Sequence, residues 1–153
     1  MQNTHVVGYL LQHVATQMAK QSDQVLQEQL GIGFSQFKIL RTLQTCPHVK
    51  QRVVASNLGQ TEASISRQVK LMIEQGLLKV TISSANHREH ITLVTAKGER
   101  LTDAAIAVLA KYHAPTFDVL SDKQHEQLTG ILERLHNEVC PGGHLDPTTA
   151  RTI

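Results

Sequence analysis

Tryptophan is absent from this chain of 153 residues, and two Tyr and three Phe are its only aromatics. A core so short of rings has to be assembled from Leu, Ile, Val and Ala, which favours helices. Long apolar runs are missing too. The N-terminal stretch MQNTHVVGYLLQHVATQMAK starts polar and is interrupted by Gln12 and His13, short of the ~18 apolar residues that a membrane span needs. A soluble, cytoplasmic protein with no membrane partner is expected. The two cysteines, Cys46 and Cys140, are far apart and form no C-x-x-C pair, so neither a zinc knuckle nor a disulfide framework is signalled. No G-x-S-x-G elbow, phosphate-binding loop or dinucleotide glycine loop occurs, and no close carboxylate pair sits beside a His in a Gly-bounded turn. Catalysis is therefore not expected, and no cofactor is implied. The length suits one folding unit.

Charge is scarce overall, +2 net, but it is unevenly distributed. Between Phe34 and Arg100 there are ten Lys or Arg against four Glu, while the flanks hold five basic and nine acidic residues. The centre thus carries +6 and the flanks −4. A field of that sign in the middle of the chain points to a polyanionic partner.

Apolar residues mark six helices. Val7, Leu11, Val14, Met18 and Val25 follow steps of three and four with Gln21 in the gap, predicting a long amphipathic helix from about Thr4 to Leu30, ended by Gly31-Ile-Gly33. Ser35 can cap a second helix whose Phe37, Ile39, Leu40 and Leu43 face inward, closed by Pro47. A short third helix is expected over Lys50 to Asn57, stopped by Gly59. Thr61 then caps a fourth, TEASISRQVKLMIEQ, with Ile65, Val69, Met72 and Ile73 inward and Ser64, Arg67, Gln68 and Leu71 on the other side. After Gly76 the period drops to two. Leu78, Val80 and Ile82, the polar tip SSANHREH, then Ile91 and Leu93 read as a β-hairpin. A fifth helix is expected from Ala96 to about His113, with Leu101, Ala105, Val108 and Tyr112 in register and Pro115 stopping it. The sixth is capped by Ser121 and carries Leu128, Ile131, Leu132, Leu135 and Val139 as one stripe up to Pro141.

Helix, helix, helix, hairpin in the basic centre is the order of a winged helix-turn-helix, whose second helix-turn-helix member can enter a DNA major groove about 12 Å wide. The N-terminal half of that member offers Thr61, Ser64, Ser66, Arg67, Gln68 and Lys70. Arg67 suits guanine, Gln68 suits adenine, and the two serines suit phosphates or base edges. At the hairpin tip Arg88, with Asn86, His87 and His90 beside it, could enter a narrow minor groove.

These stretches resemble the MarR family of bacterial regulators over about residues 30 to 101. The similar segments are FSQFKILRTL, EASISRQVKLMIEQGLL and the wing NHREHITLVTAKGERL, which resembles the family's Asp-Arg-Arg…Leu-Thr-x-x-Gly pattern. Ile65, Ser66, Arg67 and Val69 match the recognition-helix pattern, and Arg88 matches the wing arginine. Asn86 and His87 replace the wing Asp and first Arg, so a supporting ion pair of that family is missing here. The resemblance implies a mainly α fold of the α+β winged-helix kind: six helices and a two-stranded wing, a DNA-binding unit over 33–98, dimerisation helices over 1–32 and 99–140, and a flexible tail over 141–153. It also implies a homodimer that binds a pseudo-palindromic operator, usually repressing nearby genes until a small molecule or an oxidant loosens it.

The apolar stripes of the first, fifth and sixth helices exceed what a small centre can cover, which independently suggests dimerisation. Two-fold symmetry would set two recognition helices about 34 Å apart, one turn of DNA. The other readings are a winged-helix module that binds protein rather than DNA, and a redox- or metal-responsive regulator. Nine histidines are present, but only the wing pair His87-x-x-His90 is closely spaced, with no Cys nearby and no H-E-x-x-H. Cys46 sits at a helix end whose dipole disfavours a thiolate. An effector of unknown identity would act at the junction between the dimer helices and the DNA-binding lobe, where Phe37, Arg41, His13 and Tyr112 are candidates for its lining.

Overall fold

The first helix, α1 (Thr4–Leu30), closes at Gly31, and in a computed structural model that describes residues 3–87 and 90–140 it is followed by α2 (Phe34–Thr45), α3 (Gln51–Leu58) and α4 (Glu62–Glu74). Strands β1 (Leu78–Ile82) and β2 (His90–Val94), then α5 (Ala96–Phe117) and α6 (Asp122–Val139), complete the chain. Six helices and one hairpin are the elements that periodicity predicts. Arg88 and the expected tail over 141–153 lie outside the described residues.

Between α3 and α4 the chain has to reverse within three residues. Gly59 makes this possible with φ 63°, a left-handed conformation that costs a side chain free energy but glycine little. Thr61 then caps α4, its hydroxyl oxygen accepting the Ser64 amide at 3.1 Å. The hairpin is antiparallel, with Leu78 opposite Val94 and Ile82 opposite His90.

Two helix ends differ from expectation. Ser35 does not cap α2: Gly33 occupies that position, and the first free amides are satisfied by Asp23 of α1, which accepts from Phe34 at 2.8 Å, and by Gln36, which accepts from Gly33 at 3.1 Å. Pro115 does not stop α5, which continues to Phe117, since a proline near a helix end removes one hydrogen bond where few remain to be lost.

Two apolar clusters hold the fold. The larger joins Ile39, Leu40 and Leu43 of α2, Val54 of α3, and Ile65, Val69 and Met72 of α4 to Leu77 and Leu78. Each such side chain stabilises the fold by about 1.5–3 kcal/mol relative to exposure. The smaller joins Leu26 of α1 and Ile32 to Ala105 of α5, with Phe34 and Phe37 against it. Leu101 touches both. Within one chain the apolar stripe along α1 is covered only at its C-terminal end. Val25 is buried, whereas Val7, Leu11 and Val14 are exposed, and α6 has no buried residue.

Candidate nucleic-acid interface

The face of α4 opposite Ile65, Val69 and Met72 is formed by Ala63, Ser66, Arg67 and Lys70, positions three and four apart that share one side of a helix. All four are exposed. Arg67 and Lys70 have no ion-pair or hydrogen-bond partner among the described residues, so their charges are free to meet another molecule. Thr61 stands at the N-terminal end of the same helix, where free amides and the helix dipole favour an anion.

Gln68 and Ser64 are differently placed. Both are half-buried, and Gln68 is turned toward α2. The Gln68 amide oxygen accepts from Ser35 Oγ at 2.7 Å, and its nitrogen donates to Gln60 Oε1 at 2.8 Å. Ser64 Oγ lies 3.3 Å from that nitrogen. The structure thus places Ser66, Arg67 and Lys70 together on the open side, and Ser64 and Gln68 together at its margin.

At the wing, Ser83 is buried and its hydroxyl oxygen accepts the amides of Ala85 and Asn86, each at 3.2 Å, which folds the start of the tip into a tight turn. Asn86 and His87 are exposed there. Arg88, the expected minor-groove arginine, is not among the described residues.

Sequence reasoning missed the residues that hold α4 in place. Lys97 Nζ donates to the Gln75 carbonyl at 2.8 Å, and Thr95 Oγ1 to the Gly76 carbonyl at 2.7 Å. Three consecutive residues after α4 are thereby gripped by the start of α5, since the Leu77 carbonyl accepts from the Thr95 amide at 3.0 Å. The Thr-x-x-Gly spacing in the wing segment was the available signal.

A family model described as winged helix-turn-helix DNA-binding matches residues 35–79, from α2 into β1. No curated protein sequence matches significantly. Among solved structures, CouR from Rhodococcus jostii RHA1 bound to p-coumaroyl-CoA superposes with TM-score 0.73 at 23% identity, covering 92% of this chain and 95% of that one. A MarR transcriptional regulator from Methanosarcina mazei Go1 gives 0.77 at 18%, covering 90% and 98%. The Mycobacterium tuberculosis MarR family protein Rv2887, in complex with salicylic acid, gives 0.73 at 24%, covering 84% and 94%. The chain has the MarR fold. In that fold the matched segment is the winged helix, and α1, α5 and α6 are the helices outside it.

The remaining candidates are dispersed. Among the described residues no three of His, Cys, Asp and Glu come together as a metal site. Cys46 is half-buried at the end of α2, and Cys140 is exposed. No helix among the described residues is long and apolar enough to cross a membrane. Of the four residues considered for an effector, only Tyr112 lines the open groove of about 560 Å³ between α1 and α5, with Gln29, Ala107, Val108 and Lys111. Phe37 packs in the smaller cluster, Arg41 donates to Gln44 at 3.1 Å, and His13 stacks on Tyr9.

Proposed function

We propose that the protein is a homodimeric, sequence-specific DNA-binding transcription regulator, a repressor that acts at a pseudo-palindromic operator. The observation that carries this reading is the exposed face of α4, where Ser66, Arg67 and Lys70 stand without partners on a helix pinned at both ends. Thr61 extends that face toward the helix N-terminus with Ser64 at its margin, and the wing residues Asn86, His87 and Arg88 reach the adjacent minor groove. The +6 charge of the central segment, the match to a winged-helix DNA-binding model and the MarR fold all support the assignment. The dimer is supported by the uncovered apolar residues of α1 and α6.

Relatives of this fold solved with p-coumaroyl-CoA and with salicylic acid support a small aromatic acid or acyl ligand as effector. The groove beside Lys111 and Tyr112 offers such a ligand a cation and a ring.

Titrating the purified protein into a labelled duplex selected from a random-sequence pool, at several salt concentrations, tests the function. Affinity is expected to fall steeply with salt because phosphate neutralisation releases counterions. Replacing Arg67 and Arg88 together by Ala should abolish tight binding. Unchanged affinity of that double variant would remove α4 and the wing from the interface, and salt-insensitive binding to a protein instead of DNA would favour the interaction-module reading.

A further inference from the structure

Gln68 occupies a position on α4 from which a carboxamide could read adenine, which requires both its N–H and its carbonyl oxygen. In the folded chain both are in use. Ser35 Oγ donates to Gln68 Oε1 at 2.7 Å, Gln68 Nε2 donates to Gln60 Oε1 at 2.8 Å, and Gln60 Nε2 donates to Ser35 Oγ at 2.6 Å. Around the ring each of the three side chains gives one hydrogen bond to the next and takes one, so the ring closes on itself, and Ser64 Oγ lies against both amides, 3.3 Å from Gln68 Nε2 and 3.4 Å from Gln60 Oε1. Flipping one amide alone would set two acceptors or two donors against each other, so the ring couples the orientations of the two glutamines.

The three residues come from three different elements. Ser35 lies in the first turn of α2, Gln60 in the turn between α3 and α4, and Gln68 two turns into α4. Ser35 is free for this role because Asp23 and Gln36 satisfy the amides at the start of α2. All three are half-buried, where such bonds are sheltered from water without being costly to form. The ring ties the N-terminal half of α4, the half that presents Ser66 and Arg67, to the body of the winged helix. The C-terminal end is held separately by Thr95 and Lys97.

We propose that Ser35, Gln60 and Gln68 are positioning residues: the closed ring sets the angle at which α4 enters the major groove, and Gln68 acts through that ring rather than by contacting a base. This deepens the DNA-binding reading and rests on it.

The test uses the full chain and a duplex selected by the wild-type protein from a random-sequence pool. Ser35→Ala, Gln68→Met, the double variant and Ser35→Thr are compared for affinity, for base preference across single-position changes in the duplex, and for thermal melting. Gln68→Met keeps the side-chain volume, and Ser35→Thr keeps the hydroxyl. Each of the first two is expected to weaken binding about five- to twentyfold at every sequence alike, as loss of one or two hydrogen bonds would. The double variant should be no weaker than the worse single variant by more than about twofold, because one ring is broken only once. Ser35→Thr should restore affinity. Additive losses would make Ser35 an independent phosphate contact and overturn the ring. A Gln68→Met variant that loses preference at a single adenine, with Ser35→Ala unaffected, would make Gln68 a base reader and overturn it equally. A wild-type protein that enriches no duplex at all would overturn the DNA reading itself, a result distinct from either.

Discussion

Gly98, in the first turn of α5, lies so close to Leu77 that a β-carbon at position 98 would overlap the Leu77 carbonyl oxygen. The close approach is what lets Thr95 and Lys97 reach the carbonyls that follow α4, so α5 and α4 share one joint. Gly98→Ala is expected to destabilise the fold by about 1–3 kcal/mol, since backbone rather than a flexible side chain would have to move. Urea unfolding checks this.

Ser22 and His113 link α1 to α5 through a buried hydrogen bond of 2.9 Å. Burial lowers the His113 pKa below its ordinary value of 6.5 by removing water from the charged form. The unfolded chain therefore takes up this proton before the folded one as pH falls. The contribution to stability is complete above about pH 6.5 and is lost as pH drops through the window between the unfolded value and the lowered folded one. Unfolding midpoints at pH 7.5 and 5.5 should differ less in His113→Gln than in the wild type. An identical difference would place the acid sensitivity elsewhere.

Met72 and Leu71 are neighbours on opposite sides of α4, one fully buried and the other 46% exposed. Met72→Ala should cost about 2–5 kcal/mol through the cavity it leaves. Leu71→Ala should stay within about 0.5 kcal/mol. Chemical denaturation of both variants measures the contrast, and similar values would mean that α4 is rotated from the orientation described.

On the open face of α4, Lys70 and Arg67 should behave differently toward DNA. Lys70→Ala is expected to weaken binding evenly across sequences and to reduce the slope of log affinity against log salt by about 1. Arg67→Ala should cost about 1–3 kcal/mol of binding and relax preference at one base pair. Salt titrations on the selected duplex and its single-position variants separate the two.

Leu132 and Leu135 of α6 are exposed within one chain, at 39% and 42%. If the stripe is a dimer contact, Leu135→Glu should convert a two-chain species into a one-chain species in sedimentation while helix content by circular dichroism stays high. It should also weaken operator binding, because two half-sites would no longer be engaged together.

Much of the fold was legible because its signals are local. Glycines after α1, α3 and α4, Thr61 and Ser121 as caps, and the change of period at Gly76 each act within a few residues of the chain. The core of α4 was legible for the same reason, since Ile65, Val69 and Met72 differ sharply from their polar neighbours. Ser35 and Pro115 were misread because the rules applied to them describe isolated helices. In the folded chain Asp23, eleven residues away from Phe34, supplies what the serine was expected to supply.

Alone, the order of residues determined which segments are helical, where they stop, which side of each is apolar, and that positive charge gathers in the middle of the chain. Tertiary structure decided which polar residues on those helices are free. Arg67 and Gln68 are adjacent and equally suited to bases by chemistry, yet one points to open solvent and the other is held by partners eight and thirty-three positions away. Periodicity reports the contrast between apolar and polar along one helix, whereas a hydrogen bond between half-buried side chains depends on where separate elements meet.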